Sequence, residues 1–401
     1  MVRAKFPAWQ RIQGRGRVLL LLVLVAIVVV GTLGYIERHN IRLLFDRSDN
    51  PVGGVPGSVS LRLPSGFQAS IWASGLNIPR FLVFGPDGTL YVADRGSGTI
   101  VALSDPGHTG HASERTVVAS GLEDPTSVIY HDGALYVGET TRITRLTLGP
   151  DHRATARQVI VPNLPGGGQH TSRTVLIGPD NRIYVSIGST CNNCVETDPH
   201  RAAIWVYNLD GSGGHLYAKG LRNAVGLAVN PWNQQVWATN NGRDYMGDNE
   251  PPDTVYQLID GGNYGWPFCH AGTIIDPDLG HAGSCDGVVQ PLIRIQAHSA
   301  PLGLAFYTAS QFPASWHGLF IALHGSWNRT VPTGYKVVFV PLDAHGEVAG
   351  APRDFATGWL TGGSDAPGRP VGLAVGPDGA LYVTDDRASL IYRISYHQAA
   401  Q

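Results

Sequence analysis

The sequence carries little charge and shows no concentration of basic residues. Only 15% of its 401 residues are charged, and 29 lysines and arginines nearly balance 31 acidic side chains. A domain that binds nucleic acid usually presents a basic stripe or face, and none is visible along this chain. We therefore predict that nucleic acid is not a partner.

Cysteine is also scarce, with four residues: Cys191, Cys194, Cys269 and Cys285. Cys191 and Cys194 form a CxxC motif, but there is no second CxxC to complete a zinc site. Val195 rather than histidine follows Cys194, which excludes the attachment motif of c-type haem. A redox pair, half of a zinc site and a small-loop disulfide remain open. For a domain in an oxidising compartment, we expect two structural disulfides, Cys191 with Cys194 and Cys269 with Cys285.

A single apolar run, residues 18–36, has the length needed to cross a bilayer, and it follows a basic segment at 1–17. Positively charged flanks remain on the cytoplasmic side, so we predict a single-pass transmembrane helix in the inner membrane with the rest of the chain on the periplasmic side. The run has a poor cleavage site, which favours a retained anchor over a cleaved signal peptide. Residues 37–62 are predicted to be a linker, because prolines and glycines cluster there.

Glycine and proline are abundant, with 51 and 27 residues, as in turn-rich β proteins. Residues 220–244 show a unit of two short apolar strands, joined by a turn at Asn230 and Pro231 and followed by a polar loop. Related units occur six times, and their second strands contain Tyr91, Tyr136, Tyr184, Trp237, Phe320 and Tyr382. The first intervals lie close to the roughly 40 to 50 residues typical of propeller blades. We predict an all-β, six-bladed β-propeller over residues 63–398, closed by strands near 67–72 and 390–394.

The loops that lead into the innermost strands of a propeller converge on the central channel, so residues at this position share one cavity. In this chain they are Arg80, Thr126, His170, Arg222 with Asn223, Pro301 and Arg369. Several arginines with one histidine predict a site for an anion, with His170 as the candidate general base. The alternative for His170 is a solvated loop histidine without a catalytic role. The alternative for Arg222 is a surface pairing with Asp210.

An oxygen-rich loop, residues 240–244, follows the second strand of the fourth unit. Carboxylate and carbonyl oxygens are the ligands that Ca²⁺ prefers, so the loop is a candidate calcium site. The ordered ligand spacing of an EF-hand is absent, and an ordinary acidic turn is the alternative reading of these residues.

Taken together, these stretches make the chain similar to the soluble quinoprotein glucose/sorbosone dehydrogenase family, and to its sorbosone branch in particular. The motifs that carry the resemblance are GQHTSRTVLIGPDN, GLRNAVGLAV, NNGRD, HGSWNRT and GRPVGLAVGPDG. The resemblance implies a six-bladed propeller that holds pyrroloquinoline quinone (PQQ) and Ca²⁺. It also implies oxidation of an aldose or a sugar aldehyde.

Residue roles follow from the resemblance in the same way. His170 resembles the catalytic base, and Arg222 with Asn223 resemble the pair that contacts the quinone. Arg369 resembles an arginine that clamps the carboxylates of the cofactor. The family places a lysine over the cofactor, and Arg329 is the nearest cation to that position here.

The resemblance also places Gly242 and Arg243 where backbone carbonyls hold the calcium ion. Gln169 stands where the glucose branch has an acidic residue before its histidine, so the preferred sugar stays open. The absence of a haem motif implies a separate electron acceptor, a membrane quinone or a cytochrome.

Two other functions remain open at this stage. A calcium-dependent lactonase or esterase on the same fold would bring carboxylates from several blades into the channel, whereas the entry positions here are basic or neutral. A non-catalytic binding propeller displayed on the membrane would bind its ligand without turnover.

Overall fold

The computed structural model describes residues 59–363 and 365–397, and almost all regular structure in this part of the chain is β-strand. The predicted transmembrane helix and most of the predicted linker lie outside the described residues. Among the described residues, no helix is long and apolar enough to span a bilayer. At the start of the described chain, Arg62 forms a β-bridge with Thr357, so the end of the predicted linker already lies against the propeller.

Six antiparallel sheets follow one another along the chain, and each is one blade. The chain enters with β1 (Phe67–Ala73) and forms the first blade from β2 (Pro79–Phe84), β3 (Leu90–Asp94), β4 (Thr99–Ser104) and β5 (Glu114–Ala119). The second blade contains β6 (Ser127–His131), β7 (Ala134–Glu139), β8 (Arg142–Leu148) and β9 (Ala154–Val161). The third contains β10 (Arg173–Ile177), β11 (Ile183–Ile187), β12 (Ala203–Tyr207) and β13 (His215–Lys219).

The fourth blade carries an insertion that the repeat pattern did not predict. Its strands are β14 (Ala224–Val229), β15 (Val236–Asn240), β16 (Asp253–Gln257) and, after three short strands, β20 (Ile293–Ile295). The inserted strands are β17 (Gly262–Asn263), which extends the third blade beside β13, and the hairpin of β18 (Cys269–His270) and β19 (Ile274–Ile275). This insertion explains why Trp237 and Phe320, in the second strands of the fourth and fifth units, lie 83 residues apart.

The last two blades complete the ring. The fifth contains β21 (Pro301–Tyr307), β22 (Gly318–Leu323), β23 (Lys336–Pro341) and β24 (Arg353–Ala356), and the sixth contains β25 (Pro370–Val375), β26 (Leu381–Asp385) and β27 (Leu390–Tyr396). The entering strand β1 pairs with β27 and becomes the outer strand of the sixth blade. The innermost strands lie side by side in a closed circle, with β25 next to β2. The predicted six blades and the closure by the two chain ends are therefore confirmed.

A glycine in the middle of three inner strands explains part of the repeated sequence. Gly226 faces the carbonyl oxygen of Leu302, Gly303 faces that of Val371, and Gly372 faces that of Arg80. A Cβ atom at any of these positions would overlap with the backbone of the next inner strand. Glycine therefore sets how closely the blades approach each other around the channel.

Candidate active site

All the residues predicted to form the site lie at one end of the ring. The loop that precedes an inner strand and the loop that follows the second strand of the same blade lie at the same end, because the two strands are antiparallel. We call these loops the channel mouth. The predicted residues divide between the two kinds of loop: His170, Arg222, Asn223 and Arg369 precede inner strands, and Gly242, Arg243 and Arg329 follow second strands.

His170 is held by Ser189, which follows the second strand of the same blade. Its Nδ1 atom lies 3.0 Å from the carbonyl oxygen of Ser189 and 2.9 Å from the Ser189 Oγ atom. The Ser189 hydroxyl donates to the carbonyl oxygen of Cys191 at 2.6 Å, so both Ser189 oxygens are acceptors toward His170. Nδ1 therefore carries the proton of the neutral imidazole, and Nε2 has the lone pair that a general base needs.

Two buried arginines fix the backbone in front of His170. Both donate to the carbonyl oxygen of His170, Arg173 at 3.2 Å and Arg201 at 3.3 Å. Arg201 also donates to the carbonyl oxygens of Gly166 and Gly167, at 2.6 and 2.8 Å. Burial and the nearby charge of Arg201 lower the pKa of Arg173 to about 9. These contacts hold the glycine-rich segment that carries the imidazole.

Arg222 is buried and joins the third blade to the fourth. It donates to the backbone and side-chain oxygens of Asn192 at 3.0 and 2.9 Å, and to the carbonyl oxygen of Gly242 at 2.7 Å. Its remaining bond is an ion pair with Asp244, also at 2.7 Å. The alternative of a surface pairing with Asp210 is wrong, because the acidic partner is Asp244 and the Arg222 side chain is 5% exposed.

Asn223 lies directly beside His170. A Cβ atom on Gly188 would come within 2.5 Å of the His170 Cβ atom and 2.7 Å of the Asn223 Oδ1 atom. The absence of a side chain at Gly188 thus allows the two predicted site residues to approach each other. Hydrogen bonds also join the Asn223 backbone to Asn240 and Asn241, at 3.1 and 3.0 Å.

Oxygen atoms suited to a calcium ion gather on the loop after β15. The backbone of Gly242 is fixed by its N–H, which donates to Asp253 at 2.8 Å. The Asn241 Oδ1 atom next to it is buried without a hydrogen-bond partner. The Arg243 side chain forms ion pairs with Asp276 and Asp278, so its charge is neutralised and its backbone carbonyl is the group left for a ligand.

Arg369 belongs to a second charged group at the channel mouth. Asp386 accepts from Arg80 at 2.6 Å and from His324 at 3.0 Å. Arg369 lies 3.4 Å from the Nδ1 atom of His324 and donates to the Tyr335 hydroxyl at 3.1 Å. The Nε atoms of Arg80 and Arg369 are buried without a partner. Two guanidiniums around one carboxylate leave this group with net positive charge.

Replacing Asp386 by asparagine is expected to lower the free energy of unfolding near pH 7 by about 3–5 kcal/mol, the cost of breaking a buried ion pair. Burial raises the pKa of Asp386, but His324, Arg80 and Arg369 outweigh burial and hold the pKa well below its usual range. A carboxylate of this kind stabilises the fold above its unfolded pKa of about 3.9, and the contribution is lost as the pH falls toward the folded value. The difference between wild type and variant should therefore shrink below about pH 4.

Denaturant unfolding of both proteins from pH 2.5 to 7 measures this difference. Asp354→Asn is the matched control, because the Asp354 side chain is 56% exposed in its ion pair with Lys336. A surface ion pair contributes about 0–1 kcal/mol. Equal losses in the two variants, or a difference that does not depend on pH, would contradict the assignment.

The second strands add carboxylates at the channel mouth that the entry positions alone did not reveal. In three blades the last residue of the second strand accepts from the loop that enters the inner strand: Asp94 from the N–H of Asn77 at 2.6 Å, Glu139 from that of Glu123 at 2.5 Å, and Asp385 from that of Arg369 at 2.8 Å. Each of these carboxylates holds the entering loop of its blade against the end of the second strand through a backbone N–H group. In the fourth blade, beside His170, the same position is the neutral Asn240. Burial raises the pKa of Asp385 to about 7, which weakens its negative charge at neutral pH.

Arg329 is engaged by a neighbouring loop. Its guanidinium donates to the carbonyl oxygen of Asp248 at 2.5 Å and to the Asn249 side chain at 3.3 Å. The adjacent Asn328 is the residue that joins the site, because it donates to Asp244 at 2.8 Å and its Oδ1 atom is buried without a partner. A cofactor contact for Arg329 therefore stays a prediction.

Sequence reasoning missed several residues that hold the site together: Ser189, Asn192, Arg173, Arg201, His324 and Asp386. Ser189 and Asn192 follow the second strand of the third blade, where the fourth blade has the predicted polar loop. Comparison of equivalent loops between blades was the signal that could have found them.

Both predicted disulfides, Cys191–Cys194 and Cys269–Cys285, are present.

A closed six-bladed ring whose mouth combines a histidine of fixed tautomer with several arginines defines a propeller enzyme for an anionic ligand. The chain matches the family described as TrAA12-like over residues 61–397, and it belongs to that family. A PQQ-dependent sugar dehydrogenase of Hypocrea jecorina is 27% identical over 384 residues, which cover 82% of this chain and 87% of that protein. An uncharacterised protein of Borreliella burgdorferi is 28% identical over 356 residues, with 84% and 92% covered.

The fold has close counterparts among solved structures. The holo form of the PQQ domain of pyranose dehydrogenase from Coprinopsis cinerea superposes with a TM-score of 0.72 and 24% identity, covering 86% of this chain and 99% of that chain. The predicted resemblance to quinoprotein sugar dehydrogenases and the predicted class, an oxidoreductase of a PQQ-dependent family, are confirmed. The sorbosone branch stays a prediction.

Proposed function

We propose that this protein oxidises an aldose or a sugar aldehyde with PQQ and Ca²⁺, and that His170 is the general base. The observation that carries the proposal is a connected set of residues at the channel mouth. Hydrogen bonds run from His170 through Ser189 to Cys191, the backbone continues to Asn192, and hydrogen bonds run on to Arg222 and Gly242. It brings a base, a guanidinium and a backbone oxygen from two blades into one site.

The donors at the channel mouth fit a cofactor with several carboxylates. Guanidinium groups bind carboxylates with paired hydrogen bonds, and Arg222, Asn223 and Arg369 are the residues that would hold PQQ. The buried Nε atom of Arg369 has no hydrogen-bond partner among the described residues, so it can donate to a carboxylate of a bound ligand. When bound, PQQ supplies the acceptor for the hydride of the substrate.

The oxygens of the β15 loop fit the calcium ion. The carbonyl oxygens of Gly242 and Arg243 and the Oδ1 atom of Asn241 are hard ligands of the type that Ca²⁺ prefers. When bound, Ca²⁺ supplies a Lewis acid at the cofactor. Asp253 fixes this loop through the N–H of Gly242 at 2.8 Å.

The imidazole of His170 is oriented for proton transfer. Its Nδ1–H donates to Ser189, so Nε2 is the atom that accepts the hydroxyl proton of the sugar. Arg173 and Arg201 keep the backbone of His170 in place during this transfer.

Reconstitution tests the proposal. The purified protein is mixed with PQQ, with and without Ca²⁺, and dye reduction is followed with a panel of aldoses and sugar aldehydes. We expect reduction only with PQQ. A calcium chelator should lower the rate at least about tenfold, since even the loss of a residue that supports a metal ligand costs about 10–100-fold in metal affinity or activity. Hydrolysis of lactones without PQQ would favour the lactonase, and PQQ uptake without turnover would favour a binding propeller.

We also propose that the domain is held at the periplasmic face of the inner membrane and passes electrons to a separate membrane quinone or cytochrome. Support comes from the apolar run at 18–36 and from the two disulfides, which form in oxidising compartments. Membrane fractionation followed by carbonate extraction tests the anchor, and release of the full-length chain by carbonate would contradict it.

A further inference from the structure

A four-residue loop, closed by a disulfide, connects the surroundings of His170 with Arg222. The disulfide Cys191–Cys194 closes a loop in the segment that follows β11, with the two Cα atoms 6.1 Å apart. The loop belongs to the third blade and faces the channel mouth. Asn192 and Asn193 are the two residues inside it.

Asn192 makes an unusually complete set of contacts for a partly exposed loop residue. Its carbonyl oxygen accepts from Arg222 at 3.0 Å and from the indole of Trp266 at 3.3 Å. Its Oδ1 atom accepts from Arg222 at 2.9 Å and from the N–H of Asp244 at 2.8 Å. Its Nδ2 group donates to the carbonyl oxygen of Asp244 at 3.1 Å. The loop of one blade therefore orients the ion pair of the next.

The other end of the same loop sets the tautomer of the base. The carbonyl oxygen of Cys191 accepts the hydroxyl proton of Ser189 at 2.6 Å. That bond leaves only lone pairs on the Ser189 hydroxyl, so it accepts from Nδ1 of His170 at 2.9 Å. Displacement of Cys191 would free the hydroxyl proton and remove one of the two acceptors that hold the proton on Nδ1, leaving the Ser189 carbonyl oxygen at 3.0 Å as the other.

We propose that Asn192 is a positioning residue for the cofactor and that the Cys191–Cys194 disulfide keeps Asn192 and Ser189 in their working geometry. The inference rests on the proposed function, because it takes PQQ as the ligand of Arg222 and His170 as the base. Arg222 has four hydrogen bonds from its side chain, and two of them end on Asn192. Without those two bonds the guanidinium loses its preorganised orientation, and preorganisation is a major source of affinity.

Asn192→Ala tests the first part. The variant removes the bond from Arg222 to Asn192 Oδ1 and keeps the bond to the backbone oxygen of residue 192. We expect the Kd for PQQ to rise about tenfold, the effect of losing one hydrogen bond to a charged group. The KM for sugar at saturating PQQ should stay within about twofold, because Asn192 acts on Arg222 and makes no substrate contact. Asn208→Ala is the matched control, since Asn208 lies on the same blade between β12 and β13, at the opposite end of the ring, and bonds only to the turn at Ser212.

The double variant Cys191→Ser with Cys194→Ser tests the disulfide. It should show the same rise in the Kd for PQQ. It should also show a change in the pH profile of kcat that Asn192→Ala lacks, because only the double variant displaces the Cys191 carbonyl oxygen that accepts from the Ser189 hydroxyl. A thiol reductant should raise the Kd of the wild type and leave that of the double variant unchanged. This comparison separates the Cys191–Cys194 bridge from Cys269–Cys285, which both proteins retain.

The titration of the wild type with PQQ separates failure of the inference from failure of the proposed function. Wild type that binds PQQ and oxidises sugar, with both variants binding PQQ equally well, would overturn the inference alone. Wild type that binds no PQQ would overturn the proposed function and this inference with it. Both Asn192→Ala and Asn208→Ala are expected to unfold cooperatively above the assay temperature, which excludes general unfolding as the cause.

Discussion

Replacing His170 by alanine is expected to lower kcat for sugar oxidation by about 10²–10⁴-fold, the usual contribution of a general base. The imidazole of His170 presents Nε2 as the proton acceptor, because Nδ1 donates to both oxygens of Ser189. Removal of the imidazole breaks no backbone contact of the site, so the Kd for PQQ should change by less than about threefold. A tenfold change would correspond to about 1.4 kcal/mol of binding free energy. Steady-state dye reduction and PQQ titration of the same protein measure the two effects separately.

His345→Ala is the matched control for this prediction. His345 is exposed, and it lies between β23 and β24, at the end of the ring opposite the channel mouth. Its loss should leave kcat and the Kd for PQQ unchanged. Turnover by His170→Ala within a few-fold of the wild type would show that another group removes the proton.

Replacing Arg222 by alanine is expected to weaken PQQ binding by at least about 10²-fold and to destabilise the protein without cofactor. The substitution removes the guanidinium that we propose binds the cofactor, and it leaves Asp244 without its ion-pair partner at 2.7 Å. An uncompensated buried charge costs about 3–5 kcal/mol. Arg222→Lys should recover part of the stability and less of the PQQ affinity, because an ammonium group cannot reproduce the planar set of bonds to Asn192 and Gly242.

PQQ titration and denaturant unfolding of the protein without cofactor measure the two effects. Arg153→Ala is the control, because Arg153 is 61% exposed in its pair with Asp151 and follows β8 at the opposite end of the ring. Such a surface pair contributes about 0–1 kcal/mol. If Arg222→Ala bound PQQ as tightly as the wild type, the cofactor would not lie against Arg222.

The fold was predictable because each blade uses the same local chemistry. Inner-strand glycines such as Gly226 and Gly303 are required where neighbouring backbones almost touch, so they recur with the strand pattern. The closure of the ring also follows from the pattern, since β1 and β27 are the only partners left at the two ends of the described propeller. The strands β17–β19 could not be predicted, because they come from one insertion between β16 and β20 and have no counterpart in the other repeats.

The candidate site was predictable only in part, since the chemistry of a residue type does not reveal its partner. The argument that a buried arginine needs an anion selected Arg222, which does pair with Asp244. The same argument applied to Arg173 would have been misleading, because backbone carbonyl oxygens rather than an anion accept from its Nη1 atom. The CxxC motif predicted the Cys191–Cys194 disulfide, but the contact of Asn192 with Arg222 joins loops of two different blades and has no local sequence signal.

A crystal structure of the protein with PQQ and Ca²⁺ tests the central claim most directly. We predict that carboxylates of PQQ lie within hydrogen-bonding distance, about 3 Å, of both Arg222 and Arg369, with Nε2 of His170 turned toward the bound cofactor. Density for PQQ at any other place on the ring, or a cofactor at the channel mouth that touches neither guanidinium, would contradict the account.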